Sequence, residues 1–129
     1  MKIHLMQYRV PYADTDQMGV VYYANYLVYF ERSRTEMLRD AGLPYSTLEK
    51  EGVFLPVSEA YCKYLAPAHY DELLTFKSYV EEIKGVRIKM ASEILRGADV
   101  LARGYVVLAC VGPGGKLIRP PESLCNACK

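Results

Sequence analysis

No apolar run in this 129-residue chain approaches the ~20 residues that a membrane-crossing helix needs. Met1 to Val10 alternate polar and apolar residues, where a secretory leader would set a charged stretch before a greasy one. A cytoplasmic protein is therefore expected. Charge of one sign is missing too: 16 Lys and Arg against 15 Asp and Glu leave a formal net charge of +1. That balance offers no footprint for nucleic acid or an acidic membrane surface. Histidine is scarce, with His4 in the first predicted strand and His69 in a turn, and neither stands beside a nucleophile in the sequence. A surface or structural role is expected of both, because a tunable pKa does not by itself make a histidine functional. The sequence also lacks Gly-x-Ser-x-Gly, a Gly-x-x-x-x-Gly-Lys-Ser/Thr loop, Gly-x-Gly-x-x-Gly after a strand, and His-Glu-x-x-His. Hydride transfer, phosphoryl transfer from ATP and zinc proteolysis lose their usual anchors.

What is present is enough for one core. The length suits a single domain and 51% of the residues are hydrophobic. Four cysteines occur: Cys62 and Cys110 fall inside predicted strands, where a free thiol behaves as a small apolar residue. Cys125 and Cys128 have the spacing of half a zinc site, but no second pair completes a tetrahedral shell, so no metal is expected. Residues 1–124 are read as the domain and residues 125–129 as a disordered tail.

The order of elements follows from hydrophobic period and turn signals. Ile3 to Pro11 reads as a first strand, and Asp14 to Gly19 as a turn-rich loop. From Tyr22 the period lengthens to between three and four, and Tyr23, Tyr26, Leu27, Phe30, Ser33, Met37, Leu38 and Ala41 trace one apolar stripe. This is the one long helix; Glu31, Arg32, Thr35, Glu36, Arg39 and Asp40 mark its wet face, and Gly42 with Pro44 ends it. A short helix or turn over Ser46 to Glu51 follows. Strands are predicted over Val53 to Leu65 with an interruption at Pro56, over Leu73 to Ile83, over Val86 to Leu95, and over Val100 to Val111. The last is so apolar after Arg103 that cover on both faces is expected. An antiparallel sheet with a single apolar-striped helix must bury that stripe against one sheet face, which makes the fold α+β. One helix leaves edges of the sheet uncovered, so self-association is expected as well.

Chemistry gathers in the loop before the helix, where Asp14, Asp16 and Gly19 precede Tyr22, Tyr23 and Asn25. A helix start presents backbone N–H groups without intrahelical partners, which can hold a carbonyl oxygen as negative charge develops on it. A carboxylate a few residues upstream can attack that carbonyl or activate a water beside it. The same residues also make an ordinary turn and helix cap, and spacing alone does not say which aspartate does which. Tyr22, Tyr23, Tyr26, Tyr29 and Phe30 have the look of an aromatic box, but those on the stripe are core residues first.

The run from Tyr12 to Tyr26, containing Asp14-Thr15-Asp16-Gln17-Met18-Gly19-Val20-Val21-Tyr22-Tyr23-Ala24-Asn25, resembles the signature of the 4-hydroxybenzoyl-CoA thioesterase family. Within that family it resembles the acyl-CoA thioesterases associated with the Tol-Pal envelope system. The likeness continues through Phe30-Glu31, Pro67-Ala68 with Asp71, and Arg119-Pro120-Pro121. It implies a hotdog fold, a sheet wrapped around one long helix, with two protomers joining their sheets and active sites at the dimer interface. It further implies that Asp16 is the catalytic carboxylate and that the Tyr23 backbone N–H polarises the thioester carbonyl. Gly19, Val20, Tyr22 and Asn25 would then surround the substrate. Asp16 would act as nucleophile, through a mixed anhydride, or as general base on water, and no cofactor is implied. The expected partners are an acyl-CoA, or an acyl group on carrier protein, and a second copy of the chain in a homodimer or homotetramer. A hotdog hydratase would need a histidine paired with an acid, and the Asp16 loop has none. A non-catalytic protein that binds acyl-CoA or acyl-carrier protein is the alternative.

Overall fold

Alternating side chains form the strands, and their pairing forms one sheet. In the computed structural model, which describes residues 2–128, the strands are β1 (Ile3–Arg9), β2 (Val57–Tyr64), β3 (Leu73–Lys84), β4 (Arg87–Arg96) and β5 (Asp99–Ala109). All pairings are antiparallel and the order across the sheet is β1-β3-β4-β5-β2, so β1 and β2 are its edges. Period two puts Ile88, Met90, Ser92 and Ile94 of β4 on the covered face, and Lys89 and Glu93 on the other.

The cover is α1 (Asn25–Asp40), which buries Tyr26, Tyr29, Phe30, Ser33, Met37 and Leu38 at steps of one, three or four along one stripe. It lies along β3 and β4, and the core divides into two clusters beneath its two ends. Phe30 and Tyr29 sit with Leu74, Phe76 and Ile94 under the first half of the helix. Met37 and Leu38 sit with Ile88, Met90 and Leu108 under the second. Leu48 of α2 (Tyr45–Lys50) and Leu124 of α3 (Glu122–Ala127) close this second cluster.

Between the clusters runs a row of small or polar residues in register across the five strands: His4, Ser78, Ser92, Gly104 and Cys62. Small side chains here let the helix sit close to the sheet. Ser33 donates its hydroxyl to Ser78 Oγ at 2.9 Å, and both are fully buried, so these two hydroxyls satisfy each other. At Gly104 a Cβ atom would fall 2.9 Å from Phe30 Cε2 and would collide with the Tyr61 backbone carbonyl. No larger residue fits between the helix and the β2–β5 pair.

Four expectations need correction. The helix begins at Asn25, so Tyr23 lies before it and is 62% exposed, while Leu27 is 40% exposed at the stripe's edge. The strand after Gly52 is shorter, because Pro56 cannot donate to a ladder; Val53 to Leu55 lead into it, with one bridge from Phe54 to Val111. β5 is covered on one face only, since a single helix shields a single side; its outer residue Tyr105 stacks on Tyr61 and carries Lys89 over its ring. Residues 125–128 are not disordered: α3 places Leu124 and Cys128 in the core, and Pro121 at its N-cap starts it. Lys129 lies outside the described residues.

Cys110 and Cys128 are buried, and burial pushes both thiols up, Cys128 to about 11. Among the described residues no group of His, Cys, Asp or Glu has a metal-binding arrangement. No helix among them is long and apolar enough to cross a membrane.

The tight seat makes a prediction. Gly104→Ala should cost about 1–3 kcal/mol or more through overpacking, read as a lower urea midpoint. An unchanged midpoint would mean that the helix has room to move.

Candidate active site

Asp14 and Asp16 are two residues apart, and the fold gives them different surroundings. The Asp14 carboxylate is held: the Tyr8 hydroxyl of β1 donates to its Oδ2 at 2.7 Å, and the Tyr29 hydroxyl of α1 donates to the same atom at 2.8 Å. Its backbone carbonyl accepts the Tyr22 N–H at 3.0 Å and the Asn25 side-chain amide at 2.9 Å. One residue therefore ties the first strand, the loop and the helix start together. Burial, reinforced by the Asp14 hydrogen bond and charge, lifts the Tyr8 phenol to about 12 and raises Tyr29 further.

Asp16 is freer. Its Oδ1 accepts the Met18 N–H at 2.9 Å in a local turn, while no hydrogen bond reaches its Oδ2 among the described residues. The loop around it is closed by the backbone. Asp16 N–H donates to Val20 at 2.9 Å, and Gly19, at φ +75°, donates back to Asp16 at 3.0 Å. Only a residue that tolerates positive φ turns the chain there without strain. Val20 bridges to His69, and Val21 N–H donates to the Ala68 carbonyl at 2.8 Å, so the loop rests on the turn between β2 and β3. The Tyr23 phenol beside Tyr22 raises the latter's pKa, and the Asp16 charge adds to that rise.

The helix start is open. Ala24 at the N-cap has no side-chain cap, and the first turn of α1 carries no acid. Among the described residues the Tyr23 backbone N–H donates to nothing, while its carbonyl accepts Tyr26 N–H and the Tyr64 hydroxyl. Beside it lies an open, mostly apolar cleft of about 320 Å³, walled by Val21, Tyr23, Tyr26, Tyr64, Leu65 and Pro67. Tyr26 and Tyr64 meet edge to face at 5.1 Å, and burial pushes the Tyr64 phenol up to about 12. A carboxylate with one free oxygen, an unpaired amide and an apolar cleft can hold, polarise and attack an acyl carbonyl.

Of the residues read from the sequence, Asp16, Gly19, Val20, Tyr22 and Tyr23 share this region. Asn25 is there too, but its amide is engaged with Asp14. Tyr64, Leu65 and Pro67 arrive from the far end of β2 and are not among the residues read from the sequence as substrate-binding; of the three, only Pro67 carried a signal, as part of the family likeness. His69 stands at the loop's support with Glu72, whose carboxylate accepts the His69 N–H at 2.6 Å and pairs with Arg96 at 3.0 Å.

A sheet curled round one long helix, with an acidic loop ahead of an uncapped helix start, defines the hotdog class of acyl-thioester enzymes. The chain belongs to the thioesterase-like superfamily, whose model matches residues 10–128. It is 38% identical over 102 residues to the putative acyl-CoA thioesterase YneP of Bacillus subtilis, covering 79% of this chain and 74% of that protein. It is 39% identical over 107 residues to the acyl-CoA thioesterase YbgC of Haemophilus influenzae, covering 82% of this chain and 79% of the relative. In fold it resembles a 4-hydroxybenzoyl-CoA thioesterase solved with 4-hydroxybenzoyl-CoA, with a TM-score of 0.88 over the whole of both chains at 20% identity.

The Asp14 clamp has a pH signature. The folded protein holds Tyr8 above its ordinary 10.0, at about 12. Its contribution to stability is therefore complete below pH 10 and is lost as the pH rises through 12. Urea unfolding across that window should show stability falling, and Tyr8→Phe should flatten the fall. An identical slope in the variant would show that burial and the Asp14 bond do not hold the Tyr8 phenol protonated.

Proposed function

We propose that this chain is an acyl-CoA thioesterase that hydrolyses the thioester to a free acid and CoA, with Asp16 as its catalytic carboxylate. The observation that carries the reading is the division between the two aspartates: Asp14 accepts two phenols, whereas Asp16 keeps a carboxylate oxygen free in the loop that leads to the Tyr23 amide and the apolar cleft. The acyl group occupies the cleft, and its carbonyl oxygen accepts the Tyr23 N–H. Negative charge on that oxygen is then met by a donor that the helix leaves unpaired.

Two routes use these same atoms. As a general base, Asp16 takes a proton from water; the water oxygen bonds to the carbonyl carbon, the C–S bond breaks, and the CoA thiolate leaves. As a nucleophile, Asp16 bonds to that carbon itself, the thiolate leaves, and water opens the anhydride. A thiolate is a good enough leaving group for either route without a histidine. Gly19 and Val20 shape the wall around the reacting carbon, and Tyr22 and Asn25 hold the loop beside it.

The working unit we propose is a dimer in which two copies pair β2 with β2. This edge has no neighbour on its outer side among the described residues, and Val57 and Tyr64 at its ends are 49% and 46% exposed. An uncovered edge of unpaired N–H and C=O groups is completed by a second antiparallel strand. The cleft lies at the Tyr64 end, so it falls at the junction.

The direct test is thiol release from a panel of acyl-CoA and acyl-carrier-protein thioesters. Wild type should release thiol, and Asp16→Asn should lose roughly 10²–10⁴-fold of that activity. Full activity in Asp16→Asn, or loss only in Asp14→Asn, would sink the assignment. Sizing should give a multiple of the 14.6 kDa chain; a monomer with full activity would contradict the dimer.

A further inference from the structure

Arg34 is a cation with no ion-pair partner among the described residues. It lies half-buried on α1 and lines a cavity of about 80 Å³ with Leu38, Tyr45, Leu55, Met90 and Leu108. Glu31, one turn earlier on the same helix, is exposed at the cavity rim and acts on Arg34 only through its field. The Tyr45 hydroxyl already accepts the Leu55 N–H at 2.9 Å. Burial pulls the guanidinium below its ordinary pKa, with Glu31 only partly offsetting the effect. A cation is withdrawn from water in this way at a cost, and such groups are normally met by an anion.

The candidate catalytic cleft has the opposite lack. Its walls are Val21, Tyr23, Tyr26, Tyr64, Leu65, Ala66 and Pro67, with no cationic side chain among them. Yet, on the reading above, hydrolysis puts negative charge there, on the carbonyl oxygen and then on the carboxylate product. A cation at this place would be worth a large rate factor.

Strand direction brings the two together. Leu55, on the wall of the Arg34 cavity, is two residues before the start of β2, and Tyr64, on the wall of the cleft, ends β2. When two copies pair β2 antiparallel, the Val57 end of one strand meets the Tyr64 end of the other. The strand end beside the Arg34 cavity then lies against the strand end that walls the neighbour's cleft.

We propose that Arg34 acts in trans: its guanidinium enters the cleft of the second copy and holds the carboxylate-type charge formed at the reacting carbonyl. The inference rests on the dimeric Asp16 reading above. Arginine suits the task, because its planar fork meets two oxygens of one carboxylate and stays charged.

Mixed dimers test it. Asp16→Asn and Arg34→Gln are made on separately tagged copies, co-expressed, and the mixed dimer is purified through both tags. Each homodimer should be slow, Arg34→Gln by roughly 10²–10³-fold in kcat. In the mixed dimer, one cleft combines an intact Asp16 with an intact Arg34 from the other copy, so about half the wild-type activity should return. A role for Arg34 within its own protomer would leave both clefts defective, and a mixed dimer as slow as its parents overturns the proposal. An Arg34→Gln homodimer with full activity also overturns it. Thermal melts accompany the assay, and if Arg34→Gln melts early, Arg34→Met, which suits the apolar walls, takes its place. Failure of the underlying reading looks different: Asp16→Asn itself stays active, or the wild type runs as a monomer, and the proposal falls with it.

Discussion

The closeness of α1 to the sheet is the constraint on which the rest of the molecule depends. A helix that carries Phe30, Ser33 and Tyr29 inward can reach the β-strands only where the sheet offers no bulk, and the row through Ser78, Ser92 and Gly104 provides that gap. The Ser33–Ser78 hydrogen bond shows why serine is tolerated there: both hydroxyls are removed from water, and each finds the other. With the helix fixed at this depth, its two halves can each fill a separate apolar cluster. Its N-terminal end is then held at a set height above the β2–β3 turn.

That height makes the loop ahead of the helix a rigid object. Tyr29 reaches Asp14 only because the turn below it is seated, and Tyr8 reaches the same oxygen from the edge strand. The phenols occupy one aspartate and thereby leave the next one available. Chemical difference between two carboxylates of the same loop thus arises from packing several residues away. The turn carrying Ala68 and His69 supports the loop from below through backbone hydrogen bonds, so its position does not rely on exposed side chains.

Much of this was legible in the sequence, and the gaps have physical reasons. Period two in Val86 to Leu95 and period three to four after Tyr23 report burial directly, so strands and helix could be read from them. The start of α1 could not, because Tyr22 and Tyr23, just before it, are aromatic yet exposed instead of buried in the core. The six residues of α3 are too few to show a period, and Leu124 gains its meaning only from contact with a cluster built by distant segments. The preference for Asp16 over Asp14 came from the family likeness, since the phenols that hold Asp14, Tyr8 and Tyr29, are distributed over a strand and a helix. Tyr64 could not be placed beside Tyr23 without the sheet order that makes β2 an edge. Nothing in the linear pattern marks Arg34, because such a pattern does not show which cations lack an anion.

The central claim is geometric: a thioester carbonyl sits between the Tyr23 amide and the Asp16 carboxylate. A crystal structure with an acyl-CoA analogue in which a methylene separates sulfur from the carbonyl measures it directly. The account predicts the ketone oxygen within hydrogen-bond distance of the Tyr23 N–H, the Asp16 carboxylate beside the carbonyl carbon, and the acyl group along Tyr26 and Tyr64. An analogue bound elsewhere, with Asp16 remote from its carbonyl and the Tyr23 amide free, would contradict it.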